Sequence, residues 1–360
     1  MARPAQAVID LAALRYNYAL AQRLAASGKV LAVVKANAYG HGIIEVATVL
    51  ERLAPALGVA CIEEAIQLRN AGIKVPILLM EGAFTFDEIV VASEQGFWLM
   101  VTNQQQLTEL LTAKITRPIN IWLKIDTGMH RLGIEPAETA DFYQQLVSCK
   151  SVSEVVIATH FANADDLDSK FTDHQLAVFD QATKGIAAPA SLVNSAGLLG
   201  WPTARRDWSR PGFMLFGNTP FAKPHVDADK LQHVMTLRSA VISVRDVPAG
   251  DSVGYANTWV AQRPSKIATV AIGYGDGYPR QAPNGTPVLI KGQRVELAGR
   301  VSMDMISIDV TGIESVKIGD EVILWGDALT ANEVASYVGT SGYELMARMP
   351  ERTPRVYINQ

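Results

Sequence analysis

Over roughly its first 220 residues the chain repeats one pattern: a short, almost wholly apolar run, a polar turn, then a stretch with helical spacing. The apolar runs fall near residues 30–34, 57–61, 77–80, 97–101, 119–125, 155–159, 190–193 and 213–216. Helix-like stretches at 43–53, 63–70, 85–94, 104–113, 137–147 and 172–184 separate most of them. Runs this short, with few alternating polar residues, suit strands covered on both faces of a parallel sheet, where each crossover is usually a helix. An opening helix precedes the first run. Asp10 can cap it, Leu11, Leu14, Tyr18, Ala21 and Leu24 recur at steps of three or four, and Ser27-Gly28 ends it. About eight such runs over this length match an α/β fold of the (β/α)8 TIM-barrel type. A doubly wound open sheet is the competing arrangement.

The texture changes near residue 235. Strand-like segments take over at 237–244, 267–272, 287–290, 295–297, 305–310 and 321–325, punctuated by turns such as Pro283-Asn284-Gly285, and only 331–338 reads as a helix. We therefore expect two domains, residues 1–234 forming the barrel and residues 235–360 a mostly β unit. The 32 Lys and Arg against 36 Asp and Glu give a net charge of −4, without the basic excess of a nucleic-acid binder. No apolar run approaches the roughly 18 residues of a membrane span, and the opening residues lack the apolar stretch of a secretory signal. Cys61 and Cys149 are the two cysteines, which make neither a disulfide framework nor a metal cluster. The expectation is a soluble cytoplasmic protein with no metal and no membrane contact.

The densest unusual stretch is Val33-Val34-Lys35-Ala36-Asn37-Ala38-Tyr39-Gly40-His41-Gly42. Lys35 ends an apolar run, where a cation is costly unless it reaches solvent or has a task. In a barrel the C-terminal ends of the strands form the active-site face, so a lysine there points at a ligand. A lysine with a lowered pKa can attack carbonyls and form a Schiff base, the chemistry that anchors pyridoxal phosphate.

This stretch resembles the pyridoxal-phosphate lysine motif of alanine racemases. The resemblance continues through Leu123-Lys124-Ile125-Asp126-Thr127-Gly128-Met129-His130-Arg131-Leu132-Gly133, Thr159-His160-Phe161-Ala162, Asn194-Ser195-Ala196 and Ser209-Arg210-Pro211-Gly212. It runs on in Gly254-Tyr255, Ala271-Ile272-Gly273-Tyr274-Gly275-Asp276-Gly277-Tyr278 and Gly299-Arg300-Val301-Ser302-Met303-Asp304. These elements keep the family's order and approximate spacing over nearly the whole chain.

The resemblance implies pyridoxal 5'-phosphate as cofactor, alanine as substrate and a head-to-tail homodimer with shared active sites. Lys35 would then serve the D-face of the substrate and Tyr255, from the other subunit, the L-face. It assigns cofactor contacts to Tyr39, His160, Ser195, Arg210, Gly212, Phe213 and Tyr343, and substrate contacts to Arg131, Met303 and Tyr274. Tyr343, Tyr274 and Met303 would narrow the substrate's approach, although discrimination by one methylene is only about 1–3 kcal/mol. The lysine matching Lys124 often carries a carbamate, which would turn a cation into an anion able to hold Arg131. Arg210 matches an arginine that faces the cofactor's pyridine nitrogen. A guanidinium stays charged and cannot accept a hydrogen bond, so that nitrogen would remain unprotonated and the carbanion short-lived. Phosphate contacts fit the barrel independently, because loops after strands seven and eight commonly bind phosphate and Ser195, Gly212 and Phe213 follow the last two runs.

Taken singly, these residues have plainer readings: Tyr255 a packed strand aromatic, His160 a satisfied core histidine, Arg210 an ion pair with Asp207, Arg131 a loop arginine beside Asp126. Three rival functions stand beside the alanine-specific one. They are a racemase of broader specificity, a pyridoxal-phosphate decarboxylase on the same barrel-plus-β plan, and a carrier of the cofactor that is no enzyme. Arg210 counts against the decarboxylase, which is better served by a carboxylate at the ring nitrogen. The long segment after the barrel counts against the carrier.

Overall fold

The structure, a computed structural model, describes residues 3–360. Its first sheet is parallel throughout and runs in the order Ala32–Val33, Leu57–Val59, Ile77–Leu79, Phe97–Val101, Ile119–Lys124, Val152–Ala158, Ala190–Ser191, Trp208–Ser209 and Lys29–Val30. The two end segments are one stretch of chain interrupted only at Leu31, whose N–H bonds to Ser209 O at 2.9 Å. The sheet therefore closes on itself as a ring of eight strands, and the open doubly wound alternative is excluded.

Helices alternate with these strands. The opening helix Leu11–Ala25 is capped by Asp10, whose Oδ1 accepts from Ala12 N at 2.8 Å and Ala13 N at 3.2 Å. Its stripe of Leu11, Leu14, Tyr18 and Ala21 is buried, as the spacing requires. One apolar run departs from expectation. Residues 213–216 form a 3-10 helix, Phe213–Phe216, and the last barrel strand is Trp208–Ser209. All four side chains of that short helix are buried, and a run covered on every side looks the same in sequence whether it is strand or helix.

Side chains that point into the ring form their own cluster, including Leu31, Val33, Leu78, Met100, Trp122, Val156 and Trp208. The rings of Trp98, Trp122 and Trp208 lie 5.6–6.3 Å apart and plug the lumen. Lys124, two residues after Trp122 on the same strand, therefore points into the ring one layer higher.

The second sheet is built mostly from the C-terminal part. Ser265–Val270, Ile306–Asp309, Gln293–Leu297, Pro287–Ile290, Glu321–Trp325 and Met235–Val247 follow one another, and the first also pairs with the last. Two further strands extend it: Gln6–Asp10, antiparallel to Met235–Val247, and Arg355–Ile358, parallel to Gln6–Asp10. A strand near each terminus thus lies in this sheet. Besides the expected helix Ala331–Val338 there is a second, Gly342–Ala347, which packs over the barrel's mouth. Among the described residues no helix is long and apolar enough to cross a membrane, and no group of acidic, histidine or cysteine side chains is arranged to hold a metal.

Candidate active site

A cavity of about 370 Å³ opens at the C-terminal ends of the barrel strands, above the tryptophan plug. Lys35 borders it, two residues past the end of the barrel strand Ala32–Val33. The chain then makes a left-handed turn. Ala36, Asn37 and Ala38 have φ and ψ near +50°, Tyr39 has φ +51°, and Gly40 ends the turn at φ +80°. Left-handed conformation costs an L-residue roughly 1–2 kcal/mol, so four in succession need strong external support. At Gly40 only glycine fits, because a Cβ would lie 1.9 Å from Met346 O of the helix Gly342–Ala347.

The turn delivers Tyr39 to the same cavity. Its hydroxyl lies against Gly212, where a Cβ would meet it at 2.4 Å. Burial pushes the Tyr39 phenol up to about 12, so it remains a proton donor at neutral pH. Ser195 stands at the start of the helix after the seventh strand, and its Oγ accepts from Gly212 N at 3.0 Å and Met214 N at 3.3 Å. Two hydroxyls and a glycine backbone therefore converge on one end of the cavity. Phe213 forms the adjoining wall, its ring stacked 3.4 Å from that of Tyr343.

Arg210 occupies the middle. It is buried, and its two terminal nitrogens donate to Ser191 O, Ser191 Oγ and Thr159 O. Its Nε has no partner among the described residues. Asp207, the acid nearest in sequence, takes the N–H of Ala190 at 2.8 Å instead. Burial pulls the guanidinium down to about 10, which leaves it cationic at neutral pH. This uncompensated charge acts on its neighbours. Burial, then Arg210, push His160 well below the usual histidine range. Burial, then Arg210 and Arg131, lower Lys124 to about 8. Arg131 also borders the cavity, while Asp126 turns to the N–H groups of Gly128 and His130 and to the His130 ring.

The structure thus brings Lys35, Tyr39, Lys124, Arg131, His160, Ser195, Arg210, Gly212, Phe213 and Tyr343 to one cavity. Tyr255, Tyr274 and Met303 lie elsewhere on the chain. Tyr255 is 68% exposed on the turn Tyr255–Asn257. Tyr274 and Met303 are exposed neighbours, joined by Tyr274 N to Ser302 O at 3.0 Å and Gly275 N to Met303 O at 2.9 Å. Met80 and Glu81 also line the cavity, although no motif marks them. Met80 ends the apolar run 77–80 and Glu81 follows it, and this place at the active-site end of a barrel strand was the available signal.

Comparison with known proteins agrees with this architecture. The family model "Alanine racemase, N-terminal domain" matches residues 9–220, and "Alanine racemase, C-terminal domain" matches residues 234–357. The chain is 51% identical over 358 residues to "Alanine racemase, catabolic" of Pseudomonas putida, covering 99% of this chain and 100% of the relative. It is 50% identical over 358 residues to the alanine racemase of Pseudomonas taetrolens, with the same coverage. Among solved structures, the biosynthetic alanine racemase from Pseudomonas aeruginosa superposes with a TM-score of 0.95 at 45% identity, covering 99% of both chains. That of Acinetobacter baumannii gives 0.93 at 40% identity, again over 99% of both chains. On full-length sequence identity, both family models and the barrel-plus-β fold, this chain belongs to the alanine racemase family.

Proposed function

We propose that the protein interconverts L- and D-alanine using pyridoxal 5'-phosphate held in the barrel cavity. The observation that carries this reading is the buried Arg210, whose Nε is left without a partner in a cavity that also holds a lysine amine and two hydroxyls. A buried N–H with nothing to donate to is costly. The ring nitrogen of the cofactor is an acceptor that would satisfy it, and the hydroxyls of Tyr39 and Ser195, beside a glycine at 212 that leaves room, suit a phosphate.

When bound, pyridoxal phosphate supplies the electron sink that makes the α-proton of an amino acid removable. The chain's own groups would do the rest. Tyr39 and Ser195 would donate hydroxyls to the phosphate, with Gly212 permitting close approach of the backbone and Phe213 and Tyr343 forming the wall beside it. Arg210, cationic and unable to accept a proton, would keep the ring nitrogen unprotonated. His160, neutral beside it, carries no competing charge. Arg131 would hold the substrate carboxylate. Lys35 would take or return the α-proton on one face.

The opposite face needs a second base, and among the described residues the only phenols lining the cavity of one chain are Tyr39 and Tyr343, both taken by the phosphate end and its wall in this reading. Exposure of Tyr255, Tyr274 and Met303 supports a homodimer in which Tyr255 of the partner subunit completes the site. Tyr274 and Met303 would then narrow the approach to it. In this reading residues 1–234 bind the cofactor, residues 235–360 supply the second base, and Gln6–Asp10 is lent to the second sheet. The lowered pKa of Lys124 raises its neutral fraction, the form that reacts with carbon dioxide, and so favours a carbamate facing Arg131. Cys61 and Cys149, both unpaired, suit a cytoplasmic setting.

The test is direct. Purified protein incubated with L-alanine should bring the optical rotation to zero, with D-alanine accumulating to half of the total. Release of carbon dioxide would instead identify a decarboxylase, and no change in rotation would overturn the assignment.

A further inference from the structure

The left-handed turn after Lys35 is held by groups that do not touch the cavity. Every carbonyl from Ala36 to His41 has a donor. Three donors are backbone amides: Gly40 N on Ala36 O at 3.0 Å, Gly42 N on Asn37 O at 3.0 Å, and His41 N on Ala38 O at 3.1 Å. The others are side chains. His41 Nδ1 lies 3.0 Å from Ala38 O and 2.9 Å from Tyr39 O. Arg355 Nε donates to Gly40 O at 3.0 Å, and the Tyr357 hydroxyl shares its one proton between His41 O at 3.1 Å and Glu45 Oε2 at 3.0 Å.

Both neighbours of His41 Nδ1 are carbonyl oxygens, so this nitrogen carries the proton and Nε2 is bare. Nε2 is buried without a partner among the described residues. The imidazole stacks on Phe216 at 4.4 Å, and the same phenyl packs against Tyr39 at 5.0 Å. Arg355 is itself anchored by the carbonyls of Met349, Pro350 and Thr353. Arg355 and Tyr357 belong to the strand Arg355–Ile358, which lies in the second sheet. The last strand of the C-terminal domain therefore grips the first catalytic loop of the barrel.

Resting on the racemase reading above, we propose that His41, Arg355 and Tyr357 are positioning residues. They hold a backbone conformation that four L-residues adopt only under external constraint, and through it they set where the Lys35 amine and the Tyr39 hydroxyl stand. Lys35 and Tyr39 sit at the two ends of the turn, so its handedness fixes their directions together. Arg131, the proposed carboxylate contact, lies on a separate loop and does not depend on the turn.

The experiment compares wild type, Lys35→Ala, His41→Leu, His41→Asn and Tyr357→Phe. Asparagine can place an amide N–H near the position of Nδ1; leucine cannot. Amide hydrogen exchange of the apoproteins is followed by peptide, and kcat and KM for alanine are measured with cofactor added. His41→Leu should raise exchange of the peptide spanning residues 36–42 by about tenfold or more, with other barrel peptides unchanged. It should lower kcat by about tenfold or more while KM stays within about twofold. His41→Asn should restore most of both, and Tyr357→Phe should move both the same way by less.

The proposal is overturned if His41→Leu leaves exchange and kcat as in wild type. It is also overturned if exchange rises uniformly over the whole chain, or if asparagine rescues nothing while Tyr357→Phe is silent. The controls separate the two claims. A wild type that does not racemise alanine, or a Lys35→Ala that still does, removes the functional reading itself.

Discussion

Gly212→Ala is a single methyl group placed where the cavity wall leaves no room for it. The backbone there has φ −126° and ψ −79°, outside the left-handed region, so side-chain collision is the main obstacle. The added Cβ would stand 2.4 Å from the Tyr39 hydroxyl oxygen and 3.0 Å from its Cζ. Contacts of this kind relax at about 3.5 Å or more, so the hydroxyl must retreat by about 1 Å. It has little freedom to do so, with the Phe216 ring 5.0 Å and the Tyr343 ring 6.3 Å from its own. Overpacking of this type costs about 1–3 kcal/mol of stability. If Tyr39 holds the cofactor phosphate as proposed, a displaced hydroxyl would also lose a hydrogen bond to a charged group, about 1.5–3 kcal/mol, which is roughly a ten- to hundredfold weaker Kd. The assay is titration of apoprotein with pyridoxal phosphate, followed by absorbance, together with the thermal midpoint of the apoprotein. Tyr39→Phe removes the colliding atom. The double variant should therefore regain most of the thermal stability lost in Gly212→Ala, while its cofactor affinity remains that of Tyr39→Phe. Wild-type affinity and midpoint in Gly212→Ala, or strictly additive losses in the double variant, would refute the reasoning.

Three further outcomes follow from the same geometry. Tyr255→Phe should keep its cofactor yet lose most exchange of the α-proton of L-alanine in deuterium oxide, as read by proton NMR; undiminished exchange removes Tyr255 as the second base. Lys124 should carry a carbamate, seen as a carbonyl resonance after equilibration with carbon-13 bicarbonate and absent in Lys124→Met; its absence from wild type would leave Arg131 facing a plain amine. The third concerns acid. Burial, the leading cause, lowers His41 from 6.5 to about 4, against the favourable Tyr39 and Ala38 carbonyls and with Arg355 adding to the lowering. Between those two values the unfolded chain binds a proton that the folded one does not, so stability rises with pH there and is lost as pH falls from 6.5 towards 4. The slope from this one group is at most about 1.4 kcal/mol per pH unit, and His41→Asn should flatten the thermal midpoint over that range. An unchanged slope in the variant would show that His41 does not titrate this way.

Much of the fold was legible because a parallel barrel writes each strand as a short apolar run. The runs at 57–61, 77–80, 97–101 and 119–125 each contain a strand. The pattern misleads where apolar content and strand geometry part company. Phe213–Phe216 is apolar because it is enclosed, whereas the true last strand, Trp208–Ser209, has only two residues and no pattern to detect. Gln6–Asp10 and Arg355–Ile358 escaped for a different reason, since pairing between the two ends of a chain leaves no local trace. At the site, Lys35, Arg131, His160, Ser195 and Arg210 stood out as parts of long motifs. The handedness of the turn 36–39 did not, because Ala-Asn-Ala-Tyr contains no glycine to announce positive φ. Nor could the isolation of Arg210 from Asp207 be read from their adjacency.

In the proposed reading Lys35 is the lysine that carries pyridoxal phosphate, and every other role depends on it. The cavity holds a second amine, Lys124, which burial and Arg210 lower to about 8 and which would be a capable nucleophile in its own right. Reduction of the yellow holoenzyme with borohydride, proteolysis and peptide mass spectrometry decide between them. The phosphopyridoxyl group should be found on the peptide containing Lys35 and not on that containing Lys124. A label on Lys124, or on neither, would contradict that reading.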